Sequence, residues 1–467
     1  MNVPALVPEA RDPLAVALGN ASLLGTGYLM LGRRGLAVAT GLVTVVLVAV
    51  HFAAVRSAWS ETIVLLWWAA LIGHGYLLAG GRTRWAVVRG QRLTALGVTV
   101  PVLLAVAFLR FDAATIGRDV ADARRSGDCP RATTALDRVW FGHRVADAPL
   151  TARDERTGEA CRRLRWAGEK LTAALQADTG ALEDGFDTLT RVLAELPGHQ
   201  KMVEATLDRF LARLPTENLC ATAAITDWLD RRQASHPALH RSAEVAARTA
   251  PAALTGCGDD LAAAEDWPAA RARYRQLLDR YPGDAHTAGA QAGVKRATLA
   301  IELANVRGLL EGPTGTQPEY CSKPAKYSGA APYRKGTNRA LFYGNDEYAG
   351  KLPAGWRTTD AARAVLVVCA DETAYGTAVR TCPYENKTFR QFPTEVTFHK
   401  IAISVKAYEL RTGRLVAKRK IQIGGKSCPR VLTYTTYFAT DLGPPSQVYV
   451  AASKARVQAA FKSLIVR

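Results

Sequence analysis

GLAVATGLVTVVLVAVHFAAV (Gly35–Val55) and LTALGVTVPVLLAVAFL (Leu93–Leu109) contain no Asp, Glu, Lys or Arg. Between them IVLLWWAALIGHGYLLAG (Ile63–Gly80) carries only His74 as an ionisable group. Each is near the ~20 apolar residues that cross ~30 Å of hydrocarbon. A buried helix of a water-soluble domain has similar hydropathy, but three such segments in the first quarter of the chain read as transmembrane helices. The glycine-containing stretch Pro13–Leu31 is a fourth candidate, crossing or re-entering. The membrane domain is thus read as 1–112, with helices at 13–31, 35–55, 63–80 and 93–109.

Orientation follows from the loop Arg82–Arg92, where Arg82, Arg84, Arg89 and Arg92 stand without an acid and are expected to remain in the cytoplasm. Arg33 and Arg34 fit the same side. By parity, residues after about 112 are extracytoplasmic, so the localisation expected is a multi-pass plasma-membrane protein. No short apolar run followed by a small-residue cleavage site is present, so the block reads as an anchor. His51, His74, Trp67 and Trp68 are read as packing and interface residues. Leu23-Leu24-Gly25-Thr26-Gly27-Tyr28 with Gly32-Arg33-Arg34 resembles the hinge of small bacterial two-helix membrane hairpins, which implies close-packed helices and no activity.

The formal charge is +18. From residue 311 onward 24 Lys and Arg face 11 Asp and Glu, so +13 belongs to the last third. For an exterior domain this excess points to anionic lipid or a wall polymer; no nucleic acid is expected. Ala- and Arg-rich usage indicates a GC-rich bacterial genome. The eight cysteines, Cys129, Cys161, Cys220, Cys257, Cys321, Cys369, Cys382 and Cys428, all follow the membrane block and include no C-x-x-C. An even set on an oxidising side reads as disulfides and not as a metal site.

Residues 113–310 carry Ala-, Leu- and Arg-rich helical runs broken by Pro and Gly. Gly258, Trp267, Ala270, Tyr274 and Pro282 stand in the pattern G-x8-W-x2-A-x3-Y-x7-P, which resembles a tetratricopeptide repeat. Leu182, Gly185, Leu189, Val192 and Pro197 keep a similar spacing, and Gly127-Asp128-Cys129-Pro130-Arg131-Ala132 is similar to the turn and second-helix start of another repeat. The resemblance implies a degenerate helical array of three or four hairpins with a groove for an envelope protein or peptide. In such an array Cys129 is expected to pair with Cys161, and Cys220 with Cys257.

The stretch Glu311–Tyr333 reads as a linker into a C-terminal α+β domain, 318–467, with an antiparallel sheet. His399, Ile401, Ile403, Val405 and Ala407 alternate with Lys400, Ser404 and Lys406. After the Thr412-Gly413 turn, Leu415 to Ile423 return as the second strand of a hairpin. Ser446–Val466 is expected to close the domain as an amphipathic helix. Val367-Val368-Cys369, Thr381-Cys382-Pro383-Tyr384 and Cys428-Pro429 resemble an uncharacterised secreted or membrane-tethered bacterial domain. That resemblance implies Cys369–Cys382 and Cys321–Cys428 links.

No H-E-x-x-H, G-x-S-x-G or G-x-G-x-x-G occurs, and Gly425-Lys426-Ser427 lacks the first glycine of a phosphate loop. No catalytic residue, cofactor or metal site is assigned. Asp346-Glu347 and Asp371-Glu372 read as solvated pairs. Arg411, Arg414, Lys418 and Lys420 form the candidate anionic-surface site. The function expected is that of a membrane-anchored binding or scaffold protein; the alternative is an envelope enzyme with an unrecognised site in the C-terminal domain.

Overall fold

The structure is a computed structural model that describes residues 12–53, 58–80, 87–232, 236–313, 316–385, 392–435 and 443–467. Arg82 and Arg84 fall outside these residues, as does the side chain of His51. The chain forms two compact units, Met1–Ala253 and Leu254–Arg467.

The first unit is helical. Its first apolar segment is not one span: α1 (Pro13–Ala21) and α2 (Thr26–Met30) are separated by Leu23 and Gly25 at φ 63° and 66°, a left-handed conformation that ends a helix. There follow α3 (Arg34–Ala53), α4 (Ala58–Leu78) and α5 (Arg89–Ser126). Among the described residues two helices are long and apolar enough to cross a membrane, α4 through Glu61–Leu78 and α5, while α3 offers the shorter apolar stretch Arg34–Val50. Their apolar side chains point outward; Phe108, for example, is 69% exposed.

Small and polar groups join these helices. Thr99 Oγ1 donates to Leu18 O at 2.6 Å, and Asn20 Nδ2 to Leu71 O at 3.1 Å. A Cβ on Gly27 would lie 2.1 Å from Val16 O, the close approach typical of helices packed in lipid. Trp67 Nε1 donates to Thr44 Oγ1, Trp68 Nε1 to Ala21 O, and the Tyr28 hydroxyl meets His74 Nδ1 at 2.8 Å. These three sequence-marked residues therefore hold helices together. Charge marks the ends: Asp12 caps α1 and pairs with Arg92, whereas Arg110 pairs with Glu61 of α4. Arg92 and Arg110 lie about 27 Å apart along α5, close to the thickness of a hydrocarbon core.

The expected break after Leu109 is absent. Helix α5 continues to Ser126 and buries Ala113, Ile116, Gly117, Val120 and Ala123, a helical stripe that the change from apolar to mixed composition hides. Gly127 (φ 78°) ends it. Then come α6 (Cys129–Leu136), α7 (Phe141–Ala146), α8 (Ala148–Ala173), α9 (Thr179–Glu195), α10 (Gln200–Leu211), α11 (Leu219–Arg231) and α12 (Arg241–Ala263). Asp128, Asp178 and Asn218 cap α6, α9 and α11, each accepting from a backbone N–H at 3.0 Å. Leu164, Leu171, Leu182, Phe186, Leu189, Met202 and Leu207 fill the core. Gly185 lets α9 approach α8, since a Cβ there would meet Leu171 Cδ2 at 2.8 Å.

In the second unit, α13 (Trp267–Arg280) and α14 (Thr287–Leu310) follow the end of α12. Tyr274 is 1% exposed and lies between two glycines: a Cβ on Gly258 or Gly293 would approach its ring to 2.5 or 2.7 Å. Its hydroxyl donates to Asp259 Oδ1 at 2.6 Å. This contact is what the Gly258…Tyr274 spacing encodes.

The remaining elements are β1 (Ala340–Tyr343), α15 (Asp346–Ala349), β2 (Leu366–Tyr384), β3 (Thr394–Glu409), β4 (Arg414–Ile423), β5 (Gln447–Tyr449) and α16 (Lys454–Ile465). The sheet order is β1-β2-β3-β4, with β5 on β3. β2-β3 and β3-β4 are antiparallel, but β1 joins β2 and β5 joins β3 in parallel. The sheet is therefore mixed and not purely antiparallel; its two short parallel strands carry too little alternation to read. Val457, Phe461, Leu464 and Ile465 of α16 pack with Ile401, Ile403, Val405, Ile421 and Ile423.

The Gly/Pro-rich stretch after α14 is more than a linker. Tyr320, Cys321 and Ala330 are buried with Val306, Leu310, Val367 and Tyr408. Such composition predicts irregular backbone, not exposure.

Cys129 is bonded to Cys161, the pair read from the sequence, and Cys220 and Cys257 are also disulfide-bonded. The two terminal links differ from the expected ones: Cys321 is joined to Cys369 and Cys382 to Cys428. Cys369 and Cys382 lie on one strand, β2, roughly 40 Å apart at the extended rise, so they cannot meet.

Candidate functional site

A cavity of about 710 Å³ in the helical unit is built by α6, α8 and α10. The Cys129–Cys161 disulfide lines it with Leu164 and Phe210. At Gly168 the wall is roomy, since a Cβ there would meet only Thr206 Cγ2, at 3.8 Å. Arg162 and Arg165 come from α8, Arg209 from α10, and Arg213 follows α10; Glu169 is the one acid in the lining.

These four cations are not equivalent. Arg162 is paired with Glu159. Arg209 donates from Nε to Ala205 O and from Nη2 to Thr206 Oγ1, both at 3.2 Å. Arg213 Nη1 reaches Thr172 Oγ1 at 3.4 Å. Neither these two nor Arg165 has a carboxylate partner among the described residues. Hydrogen bonds to neutral oxygens hold the Arg209 and Arg213 guanidinium planes while leaving their charge uncompensated, which suits them to fork onto a carboxylate or phosphate.

Beside the groove, α8 buries Thr151, Asp154 and Thr157. Burial pushes the Asp154 carboxyl up to about 6, with Arg124 acting in the opposite direction. His199 Nδ1 donates to Leu196 O at 2.9 Å, so its Nε2, 3.2 Å from Thr157 Oγ1, is free to accept. Burial lowers its pKa, which favours that neutral form.

In the second unit the four sequence-marked basic residues do not form one patch. Lys406 lies opposite Lys418 and Ser404 opposite Lys420, whereas a bulge between the Ala407 and Tyr408 pairings brings Arg414 opposite Glu409. One extra residue turns later side chains to the other face, so Arg414 leaves the face of Lys418 and Lys420. Arg411 instead donates to Ala330 O at 3.3 Å. Glu409 accepts from Tyr333 N and Thr412 Oγ1, and the Thr412 hydroxyl foremost holds its carboxyl below the usual range.

The groove arginines escape sequence reading because α6, α8 and α10 bring them together from separated stretches. The available signal was modest: Arg209 and Arg213 at i,i+4, opposite the buried stripe of α10. Among the described residues no group of three His, Cys, Asp or Glu is placed to hold a metal. Comparison of the chain with protein-family models, curated proteins and solved structures found no match.

Proposed function

We propose that this chain is a membrane-anchored, extracytoplasmic binding protein of the bacterial envelope, and that the arginine groove of its helical unit holds an acidic stretch of a partner polypeptide. The observation that carries this reading is the convergence of Arg165, Arg209 and Arg213 on one cavity without a carboxylate partner. Arg209 sits on the last turn of α10 and Arg213 just beyond it, so both guanidinium groups can meet carboxylates on one face of an extended peptide, which recur about every 6.7 Å. A degenerate tetratricopeptide-like array, the reading of the repeat signatures, favours a polypeptide occupant. The basic loop Arg82–Arg92 and the placement of all eight cysteines after the membrane block support the exterior location.

The test uses the full chain in nanodiscs and a labelled peptide of alternating Asp and Ser, read by fluorescence anisotropy. The Asp peptide is expected to bind and its Asn counterpart not to bind. Replacing Arg209 and Arg213 with Gln should weaken binding about a hundredfold, at about 1.5 kcal/mol for each charge-assisted contact. Equal binding of the Asp and Asn peptides would remove the proposal. For sidedness, an impermeant thiol reagent on intact, mildly reduced cells should label the native cysteines and not a cysteine placed at Arg89; the reverse pattern would invert the topology.

A further inference from the structure

One face of the β3–β4 hairpin concentrates lysine. Lys406 directly opposes Lys418, and Lys420 opposes Ser404. Alternation places Lys400 on the same face, away from Ile401, Ile403, Val405, Ile421 and Ile423, which fill the core behind. None of the four lysine side chains has a hydrogen bond or ion pair among the described residues; Lys418 and Lys420 are exposed, Lys400 and Lys406 half-buried. The nearest acids in strand register, Asp371 and Glu372, sit in an irregularity of β2, where Asp371 Oδ1 accepts from Gln317 Nε2 at 2.8 Å.

Like charges placed directly opposite each other destabilise an antiparallel pair. Lysine on an edge strand also prevents pairing with other sheets, and that accounts for Lys418 and Lys420 on β4, the end of the β1-β2-β3-β4 order. It does not account for Lys400 and Lys406 on the interior strand β3. The same hairpin leaves Leu415 and Val416 49% and 37% exposed. Leu415, opposite Tyr408, shares the lysine face. Cations beside exposed aliphatic side chains match a bilayer interface, where ammonium groups meet phosphates and apolar groups enter the acyl boundary. A soluble polyanion offers nothing to the apolar pair.

We propose that this face docks on anionic phospholipid, with Lys400, Lys406, Lys418 and Lys420 on the headgroup phosphates and Leu415 and Val416 inserted between them. This site is separate from the arginine groove, and either proposal can fail without the other.

The experiment uses the full chain in phosphatidylcholine nanodiscs, mixed with vesicles of phosphatidylglycerol or phosphatidylcholine and separated by flotation. Capture by phosphatidylglycerol alone is expected, weakening as salt rises. The Lys418→Gln/Lys420→Gln variant should bind about thirtyfold more weakly, from about 1 kcal/mol per near-surface lysine. Lys418→Arg/Lys420→Arg should retain binding, which separates charge from misfolding. Leu415→Ser/Val416→Ser should reduce the binding that survives high salt. Equal capture by both lipids, indifference to the Lys→Gln changes, or capture by soluble polyglycerol phosphate but not by vesicles would overturn the proposal.

Discussion

The two units hold their uncompensated cations in opposite ways. In the helical unit, arginines line a concavity, and Arg209 and Arg213 are oriented by threonine and backbone oxygens. In the sheet unit, lysines share one face of the hairpin and their side chains have no bonds of their own. A planar, pre-oriented guanidinium selects the geometry of its anion, whereas an ammonium on a flexible stem responds to charge density. The contrast teaches that the net charge of +18 is not one property. It divides into a site suited to discrimination and a surface suited to adhesion.

The largest effect that tests this division concerns the disulfide that lines the groove. The Cys129–Cys161 bond joins residues 32 apart in sequence, and its replacement by Cys129→Ala/Cys161→Ala should cost about 3–4 kcal/mol. Urea denaturation should register the loss, and binding of the acidic peptide should fall with it while vesicle capture persists. Loss of both together would mean that the two surfaces are not independent.

The next effect is the pH dependence that Asp154 and His199 give the helical unit. Asp154 has its pKa raised to about 6 by burial, so the folded state holds that proton more tightly than the unfolded chain does. Its contribution is full below about pH 4 and is lost as pH rises through about 6, by roughly 3 kcal/mol at most. His199, whose pKa is lowered by burial, acts oppositely: stability rises as pH climbs through the ordinary histidine range, because the unfolded form binds the proton. Urea midpoints between pH 4 and 7 should show the Asp154 part as the difference between the parent and Asp154→Asn. An unchanged difference across that range would place the carboxylate in water.

The smallest effect separates the cations most sharply. Arg209→Lys/Arg213→Lys keeps the charge and removes the forks, and should weaken peptide binding by about 1 kcal/mol per residue. The exchange Lys418→Arg/Lys420→Arg on the sheet should leave vesicle capture within twofold. Tolerance at both places would reduce the groove to a charged surface like the other.

Much of the local structure was legible in the sequence. Uncharged runs marked the apolar helices, the Gly127–Ala132 turn marked the start of α6, and alternation from His399 to Ile423 specified a hairpin. The Gly258–Tyr274 spacing encoded a real contact between ring and backbone. Each of these signals lies within one element or between neighbours, where the 3.6- and 2-residue periods operate.

What the sequence by itself determined, then, was where the apolar helices and the β3–β4 hairpin lie, which face of that hairpin is apolar, and that the cysteines would be oxidised. Tertiary structure alone decided that Cys369 pairs with Cys321 and Cys382 with Cys428, because β2 runs unbroken through both Cys369 and Cys382. It also decided that Arg414 leaves the face of Lys418, through a one-residue bulge that alternation cannot reveal. And it assembled Arg165, Arg209 and Arg213, which lie on separate elements and meet only when α8 and α10 pack around Leu164 and Phe210. Local periodicity determines the direction of a side chain on its own element; the partner it meets depends on the packing of distant elements, and that is set by the whole core.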